Sequence, residues 1–131
     1  MKCRAMKRLC RCLAAALWLA ASFVIVRDAT AAGDVAKGHD LAATHCARCH
    51  VVSEKNRFSG ISSTPSFMLL VNALADWEER FETFYARRPH PVHVRVKGHA
   101  PLTDLPPNAA PFEIEPADVE HILAYARTLK K

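Results

Sequence analysis

Cys46, Cys49 and His50 stand together in "THCARCHVV", residues 44–52, and offer more chemistry than any other cluster in this chain. Two residues separate the thiols, and the imidazole follows the second at once. In C-x-x-C-H each thiol can add across one vinyl group of a haem, giving two thioethers on one porphyrin edge. The adjoining histidine then reaches the iron. A disulfide, a thioredoxin-like redox pair and a zinc site are the competing uses of such a pair. The redox pair calls for a βαβ setting, which the sequence pattern does not offer. Zinc needs further ligands, which His39, His45 or another histidine would have to supply. An iron-bound His50 also needs an acceptor for its second ring nitrogen, and the carbonyl of Pro65 is the candidate.

The other three cysteines, Cys3, Cys10 and Cys12, lie in a basic start that precedes an uncharged run, "LAAALWLAASFVIV" at 13–26. "ATA" at 29–31 then places small residues where a signal peptidase reads them. This is the pattern of a secretory signal peptide over 1–31, cut after Ala31 or Ala32, with the domain in 32–131 and a periplasmic location. The apolar run is short for a membrane span, which needs about 20 residues. An uncleaved membrane anchor is the alternative, since Arg27 and Asp28 interrupt the approach to the cut. The formal net charge of +5 comes from the leader: 18 Lys/Arg and 13 Asp/Glu in the whole chain become 12 of each in 32–131. The balance therefore does not argue for a nucleic-acid partner.

The elements that must position the motif read as helices. "DVAKGHDLAATHCARCH" has Asp34 as N-cap and no proline, so a helix is expected over 34–49. Residues 51–66 read as loop, 66–74 ("SFMLLVNAL") as a short buried helix and 75–88 ("ADWEERFETFYARR") as an amphipathic one. Seven of the eight prolines fall between 89 and 116, so 89–115 reads as an ordered loop with little helix. A last helix starts near Pro116, with an apolar stripe of Val119, Ile122, Leu123, Ala126 and Leu129. No stretch demands a sheet, and the expected class is all-α.

Over residues 33–131 this pattern resembles the class I cytochromes c. In that family a first helix carries a glycine, an apolar–aromatic pair and then C-x-x-C-H. "GHDLAATHCARCH" has Gly38 and Leu41 in register, with Ala42 where an aromatic is usual. "VEHILAYARTL" (119–129), with Tyr125 and Leu129, is similar to the family's last helix. The resemblance implies N- and C-terminal helices crossing near Gly38, middle helices and a long proline-rich loop, all around one covalently bound haem c. It implies Cys46 and Cys49 as attachment points and His50 as an iron ligand.

The family commonly closes the iron with a methionine ahead of the last helix. Residues 32–131 contain one methionine, Met68, in "FMLLV", where core packing is its expected role. "STPSF" (63–67) and "RRPHPVHV" (87–94) resemble a subset of small bacterial cytochromes that read A-P-S-F and later H-P-P-M-P. In that alignment His93 falls on the methionine and Val94 on the following proline. His93 is therefore the expected second metal ligand, with His99, Met68, His90 or an open site as alternatives. His39, His45 and His121 are expected to face solvent on helix surfaces. Arg87, Arg88, Arg95 and Lys97 make 87–99 basic, as a solvated loop or as partners for haem propionates or an acidic protein.

The expectation is an exported monohaem c-type cytochrome, a monomer and not an enzyme, carrying single electrons between redox protein partners. A gas-binding or peroxidase-like haem protein, and a cytochrome subunit of a dehydrogenase complex, are the alternatives.

Overall fold

The computed structural model describes residues 32–131, and the expected leader lies outside them. The chain is mostly helical, with one small parallel ladder. Asp34 caps helix α1 (Val35–Leu41) by accepting a hydrogen bond from the Lys37 amide at 3.0 Å. A π-turn over Ala42–Cys46 continues it, closed by the Ala47 amide on the Ala42 carbonyl at 3.0 Å. The His50 amide then bonds the Cys46 carbonyl at 2.8 Å, so the motif turns off the end of this helix. Such one-turn widenings recur at functional sites.

A loop with a 3-10 turn at Glu54–Asn56 leads to helix α2 (Phe67–Ala73), capped by the Ser66 hydroxyl, which accepts from the Leu69 amide. Helix α3 (Trp77–Glu82) is shorter than its apolar pattern over 75–88 suggests. The Thr83 hydroxyl donates to the Glu79 carbonyl at 2.6 Å, and the chain tightens into a 3-10 turn over Phe84–Ala86. A further 3-10 turn spans His90–Val92.

The all-α expectation needs one correction. Val94–Val96 (β1) and Phe112–Ile114 (β2) pair in parallel, Val94 opposite Phe112 and Val96 opposite Ile114. Both lie in the segment expected to be loop. Val94, Val96 and Ile114 are buried with Val119 in a small cluster of their own. Period-two alternation produces this, with Arg95 and Glu113 pointing the other way. Residues 97–111 form a strap between the strands. Helix α4 (Pro116–Arg127) begins at a proline, with reciprocal capping between Glu115 and Asp118.

The main core joins Ala42, Val52, Phe67, Val71, Trp77 and Phe81 to Ile122, Leu123, Tyr125 and Ala126 of α4. Its tightest point is the crossing of α1 and α4. A Cβ at Gly38 would overlap the main-chain carbonyl of His121, so the two backbones touch there. His121 does not simply face water: its Nδ1 accepts from the Asp34 amide at 2.7 Å and ties the start of α1 to α4. The buried Tyr125 hydroxyl donates to the Val52 carbonyl at 2.8 Å, joining α4 to the loop behind the motif.

Gly38→Ala should therefore destabilise the protein by about 1–3 kcal/mol, the usual cost of overpacking. Gly98 has φ +79°, and a methyl group there would meet nothing within 4 Å. Gly98→Ala should then cost only the left-handed backbone penalty, about 1 kcal/mol. Thermal unfolding of both variants checks the order. A Gly98→Ala loss larger than that of Gly38→Ala would contradict the tight crossing.

Candidate functional site

The motif opens onto a cleft of about 470 Å³, a size usual for bound organic ligands. Cys46, Cys49 and His50 line one side. Phe67 and Phe81 from α2 and α3, with Phe84 beyond them, line the apolar floor. The turn at 87–90 and the strap residues Asn108 and Ala109 close it. The two thiols are not joined to each other. Burial pushes the Cys46 thiol up to about 12, with the neighbouring Cys49 adding to the rise, so it stays protonated at neutral pH. Among the described residues no group of three or more His, Cys, Asp or Glu side chains gathers as a metal-ion site.

His50 is fixed as its motif requires. Its Nδ1 lies 2.7 Å from the Pro65 carbonyl. A carbonyl only accepts, so Nδ1 carries the proton and Nε2 keeps its lone pair. Burial holds the imidazole below its ordinary value, against the opposing pull of that hydrogen bond. The ring is thus a neutral imidazole with one nitrogen to give. Phe67 meets it edge-on at 5.7 Å between ring centres.

Asn56 holds the loop behind His50. Its Oδ1 accepts from the amides of Val52 and Ser53 at 2.9 and 3.0 Å, and its Nδ2 donates to the His50 carbonyl at 2.9 Å. Composition alone assigns this asparagine to a loop. Its signal in the sequence is the spacing Ser53-x-x-Asn56, that of a reciprocal cap.

Of the candidates for a second ligand, His90 is the one whose ring pairs with that of His50. The His50 and His90 rings are nearly parallel, at 12°, with centres 6.0 Å apart. His90 Nδ1 lies 3.0 Å from the Arg87 carbonyl, so by the same logic Nδ1 carries the proton and Nε2 keeps its lone pair. Burial lowers the proton affinity of this ring, against the pull of the Arg87 carbonyl, and the nearby His50 and His93 lower it further. His93 also lines the cleft but stands beside His90, 5.9 Å away, and toward Phe112, 6.4 Å away. Its Nδ1 is buried without a hydrogen-bond partner. Burial lowers its proton affinity too, with the Asn108 side chain pulling the other way.

The remaining alternatives fall elsewhere. Met68 packs against the main core and is not a cleft residue, while His99 lies near Tyr85, at 6.4 Å between rings. His45, expected to face solvent, instead lines the cleft and stacks on Phe112 at 4.4 Å and 11°. His39 meets Tyr125 edge-on at 5.1 Å.

Arg48, Arg80, Arg87 and Arg88 reach the cleft, and among the described residues no Asp or Glu lines it. Arg80 pairs with Asp76 and Arg87 with Glu79. Arg95 is spent on the Pro91 carbonyl, and Lys97 on Glu115. Arg48 donates to the Ala110 carbonyl at 3.0 Å and lies over the Phe112 ring, clasping the strap. Among the described residues no carboxylate pairs with Arg48 or Arg88. The cleft therefore combines apolar walls with two cations available to an anionic group.

No protein-family model matches the chain, and neither does any curated protein or solved structure.

Asn56→Ala should cost roughly 1–3 kcal/mol, because it leaves two amides and a carbonyl without their partner. Asn56→Asp keeps the acceptor and loses only the donor, so it should fall between Ala and the parent. Urea unfolding midpoints test the order. Equal stabilities for all three would mean that water replaces the asparagine.

Proposed function

We propose that the protein is an exported c-type cytochrome of the class I kind, which binds one haem covalently and passes single electrons between protein partners. One observation carries this reading. The C-x-x-C-H thiols and the free Nε2 of a carbonyl-anchored, neutral His50 share an apolar cleft large enough for an organic cofactor. Haem bound there would supply reversible one-electron exchange at its iron.

The residues fit that group. Cys46 and Cys49 would each add S–H across a vinyl group, which consumes no oxidant and leaves two thioethers. His50 would ligate the iron through Nε2, oriented by Pro65. Phe67, Phe81 and Phe84 would exclude water from the ring. Arg48 and Arg88 would supply countercharge for propionates. The helical fold with α1 crossing α4 at Gly38 agrees with the cytochrome c arrangement. Under this reading the protein is a carrier rather than an enzyme, acts in the periplasm, and meets its donor and acceptor as a monomer.

Haem staining of a denaturing gel should show the parent chain stained and the Cys46→Ala, Cys49→Ala double variant blank, since no other thiol lies in 32–131. Staining retained in the double variant would refute covalent attachment through this motif. Low-spin iron in the purified protein supports electron carriage. High-spin iron that binds gases or peroxide would favour the ligand-binding alternative, and co-purification with a dehydrogenase the subunit alternative.

Export predicts a mature N-terminus at Ala32 or Gly33, read by intact mass. A product retaining 1–31 in the membrane fraction would favour an anchor.

A further inference from the structure

We infer that His90 is the second protein ligand of the bound haem iron, opposite His50, and that His93 is not. This rests on the covalent-haem reading above and adds the other face of the iron to it.

The first support is spacing. Two metal–imidazole bonds of about 2 Å separate the ligating nitrogens by about 4 Å, and roughly 1 Å of ring on each side brings the ring centres to roughly 6 Å. The His50 and His90 centres are 6.0 Å apart. Their planes differ by 12°, a near-parallel orientation that two imidazoles on one iron can adopt.

The second support is the pair of main-chain tethers. Metal-bound histidines almost always donate the other ring N–H to a fixed acceptor. His50 does so to Pro65 and His90 to Arg87. His93 has only the Asn108 side chain of the strap beside its ring, and its Nδ1 is buried without a partner, so no main-chain carbonyl fixes it. His90 also sits between Pro89 and Pro91, and its own amide bonds the same Arg87 carbonyl at 3.0 Å. Phe84 packs edge-on against its ring at 5.6 Å. The side chain is therefore held both from the backbone and from one flank.

The third support is the position of the rivals. Met68 packs against the main core and His99 is beside Tyr85, and neither lines the cleft.

The consequence is a ligand field without sulfur. Methionine–histidine ligation raises the potential of c-type haem, so a bis-imidazole iron should sit lower than a methionine-ligated version of the same protein.

The experiment uses the haem-loaded protein and four chains: parent, His90→Ala, His93→Ala and His90→Met. The parent should be six-coordinate and low-spin, without the near-infrared charge-transfer band of an iron–methionine bond. Its electron paramagnetic resonance spectrum should be the rhombic one of near-parallel imidazole planes. His90→Ala should lose the low-spin spectrum and regain it with added imidazole. His93→Ala should stay low-spin. His90→Met should gain the methionine band and a higher midpoint potential.

Low-spin iron retained in His90→Ala but lost in His93→Ala would overturn the assignment in favour of His93. An iron–methionine band in the parent would overturn it in favour of Met68, and a high-spin parent would mean an open site. If His90→Ala does not accumulate, His90→Met decides: an unchanged spectrum and potential there overturns the assignment. A parent chain that carries no haem at all fails the underlying reading instead, and the staining experiment identifies that case.

Discussion

Two helix backbones can touch only where one of them has no side chain in the way. Gly38 provides that place, against the carbonyl of His121. The rest of the described structure follows from the contact. With α1 pressed on α4, Ala42 is fully buried and the following π-turn is directed along the core, so the Cys46–His50 segment arrives at the inner wall of the cleft. At Ala42, buried beside this contact, a methyl group suits so close an approach. The Asp34 amide on the His121 ring then ties the start of α1 to α4, and the Tyr125 hydroxyl on the Val52 carbonyl ties α4 to the loop behind the motif. The first bond spans the interface, so the helix pair is defined in register as well as in distance.

A domain of about 100 residues buries only about 60–70% of its unfolded surface, and this one also gives up interior volume to a cleft. The aromatic side chains of Phe67, Phe81 and Phe84 face that cleft on one side and the core on the other. An apolar wall beside an opening of this size is costly unless something apolar fills it. The polar groups around it are arranged accordingly. The imidazoles are held neutral by burial, so they carry no charge to desolvate, while the charges present are guanidinium groups at its edges. Proposed haem binding would thus complete a core that the chain alone leaves open.

The legible and illegible parts of the structure separate along physical lines. The motif is readable from its spacing, the α1–α4 crossing near Gly38 is what the family resemblance implies, and Pro65, 15 residues from His50, is a candidate acceptor that only the fold brings within reach. α1, α2 and α4 are readable from capping and apolar period. The ladder is not: β1 and β2 have three residues each, their alternation is too short to stand out, and seven prolines dominate the surrounding composition. α3 ends at Thr83, where the amide and the hydroxyl both bond the Glu79 carbonyl, a feature that apolar periodicity does not register. His45 and His121 pass for surface residues in the sequence because contacts with distant segments leave no mark on local pattern.

The choice between His90 and His93 shows why the second side of the site is harder still. In a 3-10 turn, residues three apart fall on the same side, so both rings line the cleft whichever one is used. Alignment by sequence register favours His93, because it counts positions along the chain. What separates the two is a tertiary fact, the carbonyl that each Nδ1 can reach. Arg87 offers one to His90, three residues later in the chain, and no group partners the Nδ1 of His93. For the proposed carrier this tether also bears on dynamics. His50 and His90 would both be oriented by main-chain oxygens, that of Pro65 in one case and that of Arg87, two residues before Pro89, in the other, instead of by mobile side chains. A ligand pair fixed in this way need not rotate when the iron changes charge by one, and a small rearrangement is what passing single electrons requires.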